Sequence, residues 1–277
     1  MSNAKEPIDY VLGRSEAETR RLIFQGTIYA PYTRAFLQAA GITRGMKVLD
    51  VGSGAGDVAL LLADLVGPEG SVLGVDENPE VVKVARTRCA TMGYGNVRFV
   101  EGDVRTVSLE KDFDAVTGRW ILMYVPDSAA LLRKAAGLVK PGGVVAFQEI
   151  NLSSPPVSYP STPLFERVLG YAVPRHGAER GPDTRAGLNL YSQYLEGGLP
   201  APHLMMSTPM GGGPSWPGYH YLADTLRSLL PMLERQGAVI PEELDIDTLG
   251  GRLRDEAIGA CAVQTLPPLI GAWSQRS

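Results

Sequence analysis

The ten residues Val48-Leu49-Asp50-Val51-Gly52-Ser53-Gly54-Ala55-Gly56-Asp57 carry the most chemically loaded spacing in the chain. An apolar run containing a carboxylate passes into three glycines at alternate positions. Glycine lets the backbone turn sharply and lets a ligand approach with no Cβ in the way. In open α/β sheets ligands lie across the carboxyl ends of the strands, where such a loop stands. The G-x-G-x-x-G spacing of a dinucleotide site is not met, because Asp57 takes the place of the third glycine. A carboxylate opening the helix would also repel a phosphate there, which argues against NAD. A tight turn with no ligand is the competing reading of these residues alone.

Two more acidic residues recur at the same edge. Val72-Leu73-Gly74-Val75 runs into Asp76, placed to accept hydrogen bonds from both hydroxyls of a ribose. Glu101-Gly102-Asp103-Val104 brings Asp103 to where it can accept from an exocyclic amine. Each carboxylate taken singly can instead cap a helix. Three of them at the ends of successive strands favour a shared ligand.

The elements that must position these groups follow from periodicity. Short apolar runs alternate with helical stretches from residue 47 onward, the pattern of βαβ units. Strands are expected at 47–51, 71–75, 97–101, 113–117 and 144–150, with a last one at 269–275. Asn78-Pro79-Glu80 starts a helix running toward Met92, and Asp127 starts another that ends near Gly137. Lys140-Pro141-Gly142-Gly143 reads as the turn after it. Residues 15–40 read as two amphipathic helices separated by Pro31. Residues 151–163, with four prolines, read as a loop or hinge. Helices are expected at 164–172, 185–195 and 219–235, with a Met-rich run at 203–210 between the last two.

Composition narrows the classes. The 277 residues include 44% hydrophobic and 20% charged residues, ordinary for a globular chain. The 26 basic and 30 acidic side chains are mixed, and no basic run is available to neutralise a phosphate backbone, so nucleic acid is not an expected partner. No apolar stretch is long enough to span a membrane, and residues 1–10 lack the apolar core of a signal peptide. A cytoplasmic protein with a small-molecule partner is expected, with homodimerisation left open. Cys89 and Cys261 are far apart and outside any Cys-x-x-Cys pairing, and no histidine has metal-ligand spacing, so no metal is expected.

The run VLDVGSGAGD, then VLGVDENP, EGDV, FDAVTGRWILMYVPD and LVKPGGVV, resembles the ordered motif set of class I S-adenosylmethionine (SAM)-dependent methyltransferases, over roughly residues 46–150. Tyr10-Val11-Leu12-Gly13 through Glu18, Arg21, Leu22 and Gln25 resembles the N-terminal helix of a bacterial small-molecule branch of that family. The resemblance implies a Rossmann-like doubly wound α/β sheet, mostly parallel with an antiparallel last strand, plus N-terminal helices and a helical lid insertion. A single domain over 1–277 would then comprise N-terminal helices (1–45), a SAM-binding core (46–150), a lid (151–200) and closing helices and strands (201–277).

For the site, the resemblance implies that Gly52, Ser53 and Gly54 line the methionine side and Asp76 the ribose. Glu77 and Asn78 would take the adenine edge and Asp103 its amine, with Asp50, Gly102 and Val104 beside them. Gly118 and Arg119 would lie at the amino acid end of SAM, Arg119 pairing with its carboxylate or with an acidic neighbour. Gln25 would reach the cofactor from the N-terminal helix. Glu149, near the end of the fifth strand, orients an acceptor or stabilises developing positive charge, or else caps a lid helix. A general base, if the acceptor needs one, would come from His176, with His203 and His220 as alternatives; each reads equally as a packing or surface histidine. Trp120, Tyr171, Tyr191, Met206, Trp216 and Tyr221 would line an acceptor pocket, and their apolar character points to a lipophilic or aromatic acceptor. Two alternatives share the SAM site: a non-methylating enzyme that promotes cyclisation or decarboxylation, and a non-catalytic SAM-binding regulator.

Overall fold

A computed structural model of the chain describes residues 16–172, 182–235, 237 and 241–277. In chain order the elements are α1 (Glu16–Ala39), β1 (Lys47–Val51), α2 (Asp57–Val66), β2 (Ser71–Asp76), α3 (Pro79–Thr91), β3 (Val97–Glu101) and β4 (Phe113–Arg119). A 3₁₀ turn (Leu122–Tyr124) leads to α4 (Ser128–Ala136), β5 (Val139–Ile150), β6 (Ser158–Tyr159), α5 (Pro163–Ala172) and α6 (Ala186–Glu196). The chain continues through β7 (His203–Ser207), β8 (Met210–Gly211), α7 (Gly218–Arg235), α8 (Ile246–Gly259), β9 (Val263–Thr265) and β10 (Leu269–Gln275).

The apolar runs become strands because both faces of the sheet are covered, which suits continuous rather than alternating hydrophobicity. The seven-stranded sheet has the order β3-β2-β1-β4-β5-β10-β7. Strands β1 to β5 are parallel, and β10 runs antiparallel to both β5 and β7. Strand order reverses between β1 and β4, so a crevice opens at their carboxyl ends. The helix starts read from sequence are present: Asn78 accepts from the Glu80 N–H at 3.0 Å and Asp127 from the Ala130 N–H at 2.8 Å.

Three core units are built on this sheet. Helices α1 (its second half), α2 and α3 cover one face through Phe36, Leu37, Leu62, Val82 and Ala85. Helices α4 and α6 cover the other through Leu131, Leu132, Leu190 and Tyr194. Helices α5, α7 and α8, with the first half of α1, form a cap with its own apolar core that meets Met123, Ile150 and Leu269 at the carboxyl ends of the strands.

Several expectations change. In place of two helices, Glu16–Ala39 form one that runs through Pro31. Buried Ile28 and Tyr29 before the proline and Phe36 and Leu37 after it anchor both halves, so packing overrides the lost backbone hydrogen bond. The Lys140-Pro141-Gly142-Gly143 segment belongs to β5; its register on β4 shifts between Phe113 and Ala115, and the Gly142 N–H donates to the Arg276 carbonyl. The Met-rich run supplies the edge strand β7. Residues 151–163 contain β6, which joins β9 and β8 in a small antiparallel sheet. Helix α6, expected in the lid, packs on the sheet: the buried Tyr194 hydroxyl accepts from the Phe147 N–H and donates to the Ala272 carbonyl at 2.7 Å. Helix α8 has no counterpart in the sequence reading.

Candidate cofactor and acceptor site

The loop after β1 is knitted to β2 by backbone and carboxylate. The N–H groups of Gly52 and Ser53 both donate to the Val75 carbonyl, at 2.8 and 3.0 Å. One Asp76 oxygen accepts from the Gly54 N–H and the other from the Asn78 N–H, each at 2.9 Å. Asp76 thus spans the loops that follow β1 and β2. Gly52 needs to be glycine twice over: its φ is +66°, and a Cβ would stand 2.8 Å from Cδ1 of Ile121. Beside Gly54, by contrast, a Cβ would meet nothing within 4 Å, so the loop leaves open space on that side.

Beneath the loop lies a buried acidic centre. Asp50 is 1% exposed, its carboxyl facing the Ala59 backbone N–H; Ser53 Oγ is buried and unpartnered. Burial pushes the Asp50 carboxyl from 3.8 up to about 8, against the pull of the Arg119 guanidinium and with the push of Asp76 and Asp57. Asp57, the first residue of α2, pairs with Arg88 at 2.8 Å. Arg119 ends β4, donates to Thr33 Oγ1 at 3.1 Å and stacks over the Trp120 ring at 4.7 Å. Buried acceptors, an open cradle and a cation at the neighbouring strand tip suit a ligand with both a cationic and a carboxylate end. SAM has both.

Helix α1 closes one side. Gly26 lies so close to Asp57 that a Cβ would meet its carboxylate at 2.6 Å. Gln25 Nε2 donates to the Tyr221 hydroxyl at 2.7 Å, joining α1 to α7. Tyr29 stands edge-on to Trp120 at 5.1 Å and to Tyr221 at 6.1 Å, and donates to the Pro267 carbonyl. Trp120 itself takes a left-handed backbone, φ +58°, costly for a bulky residue and held by its N–H to the Gln148 carbonyl at 3.0 Å.

The structure therefore gathers Asp50, Gly52, Ser53, Gly54, Asp76, Arg119, Trp120, Gln25 and Tyr221 around one crevice. The remaining expected cofactor residues make contacts of their own within the fold. The Asn78 side chain caps α3, and Glu77 is exposed beside it. Asp103 is engaged by Arg105, whose guanidinium lies 2.8 Å away and holds the carboxyl below its ordinary range. The Gly102 N–H donates to the Asp76 carbonyl, and Val104 is buried in the α4–α6 side core. Gly118 is packed against Phe147 and Ile121 and is buried.

Glu149 does not face an acceptor. It is fully buried, and its Oε1 accepts from the Ile121 and Leu122 N–H groups at 2.9 and 2.8 Å, capping the turn after β4 rather than a lid helix. Tyr191 and Met206 are corrected as pocket residues: they are 46% and 69% exposed, on the outer side of α6 and on the edge strand β7. Tyr171 and Trp216 pack against the cap core, Trp216 edge-on to Tyr219 at 4.9 Å. His203 stacks on Trp273, and His220 lies against Gly250 of α8. His176 lies outside the described residues. Tyr29, Thr33 and Ile121 were missed; Tyr29 follows Gln25 by one helical turn, the spacing that would have shown it.

Residues 42–168 match a family model described as a methyltransferase domain. Over 152 residues the chain is 33% identical to the ubiquinone/menaquinone biosynthesis C-methyltransferase UbiE of Idiomarina loihiensis, covering 54% of this chain and 59% of that protein. Over 131 residues it is 36% identical to an arsenite methyltransferase of Aquipseudomonas alcaligenes, covering 44% and 38% respectively. It is similar to a solved SAM-dependent methyltransferase of Aquifex aeolicus with 19% identity and a TM-score of 0.46, covering 62% of this chain and 79% of that one. The chain spans between 38% and 59% of the length of these curated relatives. Residues 42–168 thus resemble a methyltransferase domain, and the relatives aligned with this chain are named as methyltransferases.

Proposed function

We propose that the whole chain transfers the methyl group of SAM to a small lipophilic or aromatic acceptor held between the strand tips and the helical cap. The carrying observation is the aromatic cluster Tyr29, Trp120 and Tyr221, drawn from α1, the end of β4 and α7, which sits at that boundary next to Arg119. Relatives named for ubiquinone and menaquinone biosynthesis support an acceptor of this kind. Among the described residues no helix is long and apolar enough to cross a membrane.

SAM, when bound, supplies an electrophilic methyl group on a sulfonium. The chain's residues hold and orient. The Asp76 oxygens, aligned by two backbone N–H groups, keep lone pairs for ribose hydroxyls. Arg119 offers a planar fork for a carboxylate. The faces of Trp120 and Tyr29 supply rigid apolar walls and favour positive charge near them. Methyl transfer in line asks mainly for proximity and orientation, which such a walled crevice provides.

Calorimetric titration with SAM, S-adenosylhomocysteine (SAH) and NAD tests the cofactor reading. SAM and SAH should bind and NAD should not; no SAM binding at millimolar concentration would sink it. Incubation with demethylated quinones and with phenols, followed for SAH release in step with acceptor methylation, tests the acceptor class. SAM binding with acceptor turnover but no SAH would favour a non-methylating reaction.

A further inference from the structure

We infer that Glu149 is a positioning residue of the site, setting the Arg119–Trp120–Ile121 turn against the glycine loop through the N–H groups of Ile121 and Leu122. The inference rests on the SAM-binding reading and extends it to a residue that touches no ligand.

The chain must leave β4 by a sharp route. Arg119 pairs in register with Gln148, and the next residue, Trp120, adopts φ +58°. A non-glycine residue stays in that region only where its surroundings over-determine it. Two anchors on β5 do so. The Gln148 carbonyl accepts from the Trp120 N–H, and one Glu149 oxygen accepts from the next two N–H groups. Those two donors belong to the start of the 3₁₀ turn, where no intrahelical acceptor is available, so a single buried carboxylate satisfies both.

Three functional features hang on this turn. Arg119 and Trp120 stack on each other and face Thr33 and Tyr29 of α1. Ile121 fills the space a Cβ would take at Gly52 and at Gly118, its atoms 2.8 and 2.9 Å from those positions, so it is wedged beneath the glycine loop. Beyond the turn, the Met123 carbonyl accepts from the Asp183 N–H, tying it to the segment that enters α6. Displacement of the turn would move the cation, the aromatic wall and the loop support together. Glu149 is suited to hold it because it is shut off from water, 0% exposed, with Oε1 aimed at both N–H groups. Burial pushes its carboxyl from 4.5 up to about 8 against the pull of the Leu122, Ile121 and Met123 N–H groups. The acceptor geometry, rather than the charge, is what the turn requires.

The test uses the full chain. SAH titration by calorimetry and a thermal melt are run on wild type, Glu149→Gln, Glu149→Ala and Ile121→Ala. Glutamine keeps a carbonyl oxygen for both N–H groups, so its SAH Kd should stay within about threefold of wild type, whereas alanine, which leaves both donors unpaired, should raise it about tenfold or more. Ile121→Ala keeps the Glu149 bonds and removes the wedge; its Kd should rise with the alanine variant. Should Glu149→Ala fail to fold, Glu149→Asp, which draws the carboxylate back by one carbon–carbon bond, takes its place with the same expected loss. A folded Glu149→Ala or Glu149→Asp protein that binds SAH like wild type overturns the inference, as does a glutamine variant as weak as alanine, or a lowered melting temperature with unchanged Kd. Failure of wild type itself to bind SAH overturns the cofactor reading, and the inference with it.

Discussion

Around β1, β2, β4 and β5 the side chains that shape the crevice are held by main-chain groups: Asp76 by the N–H groups of Gly54 and Asn78, and Glu149 by those of Ile121 and Leu122. In the cap, α7 and α8 meet mainly through Leu222, Leu226, Leu229, Leu233, Leu249 and Leu253, with the exposed Arg227–Asp247 pair at 2.8 Å on its rim. A backbone-directed site depends on a few residue types at fixed positions, since hydrogen bonds fail with small errors of direction. An apolar interface depends on volume and pattern, which many sequences satisfy. The strand tips should therefore tolerate substitution less than the cap does.

That contrast breaks most readily at a cap leucine. Leu226→Ala removes a fully buried side chain and should cost about 2–5 kcal/mol of stability by lost burial and the cavity left behind. A thermal melt reads the loss, while SAH affinity, measured where the protein stays folded, should be nearly unchanged. An SAH Kd that rises in parallel would show that the cap supports the cofactor side, contrary to the division drawn here.

Asp76→Ala should do the reverse. It should weaken SAM binding by about 1.5–3 kcal/mol, the range for hydrogen bonds to a charged group, with a smaller effect on melting. Unchanged affinity in the folded variant would move the ribose site elsewhere.

The acidic floor offers a test by pH. Asp50 has its carboxyl raised from 3.8 to about 8, so its ionisation opposes folding. The stability this group contributes is complete below about pH 4 and is lost as pH rises toward 8, with a slope of at most about 1.4 kcal/mol per pH unit. Glu149, raised from 4.5 to about 8, adds in the same sense. Carboxyls held low, such as Asp103, act at more acid pH and in the opposite direction. Asp50→Asn should flatten the decline in melting temperature between about pH 5 and pH 8; a decline as steep as in wild type would mean that Asp50 is charged and compensated in the fold.

The smallest effect is expected at the two exposed residues first read as pocket walls. Tyr191→Ala and Met206→Ala should each change stability by less than about 0.5 kcal/mol and leave turnover of any accepted substrate untouched. A rise in acceptor KM in either variant would return that residue to the pocket.

Some of this was legible because local chemistry and tertiary structure agree. Strands 47–51, 97–101 and 269–275 lie where periodicity put them, and the capping residues Asn78 and Asp127 perform the bonds their types imply. The glycine loop was readable because positive φ and a near neighbour leave few alternatives to glycine at position 52. Pro31 misled because a proline breaks an isolated helix, but four buried apolar side chains, two on either side of it, outweigh a single missing hydrogen bond. Tyr191 and Met206 misled because an aromatic or Met residue is as common on an outer helix face or an edge strand as in a pocket, and only the packing of α6 and β7 decides which side is outward.

What the sequence determined by itself was the set of short-range constraints: where strands end in carboxylates, where the backbone must be glycine, and where helices begin. Which atoms meet across the chain was decided only by the tertiary structure. Gln25 and Tyr221 are 196 residues apart and Ile121 and Glu149 are 28 apart, yet each pair is joined by a hydrogen bond. No local spacing encodes such pairs, because they depend on strand order and helix packing, and those are fixed only when the apolar faces of the whole chain are buried together.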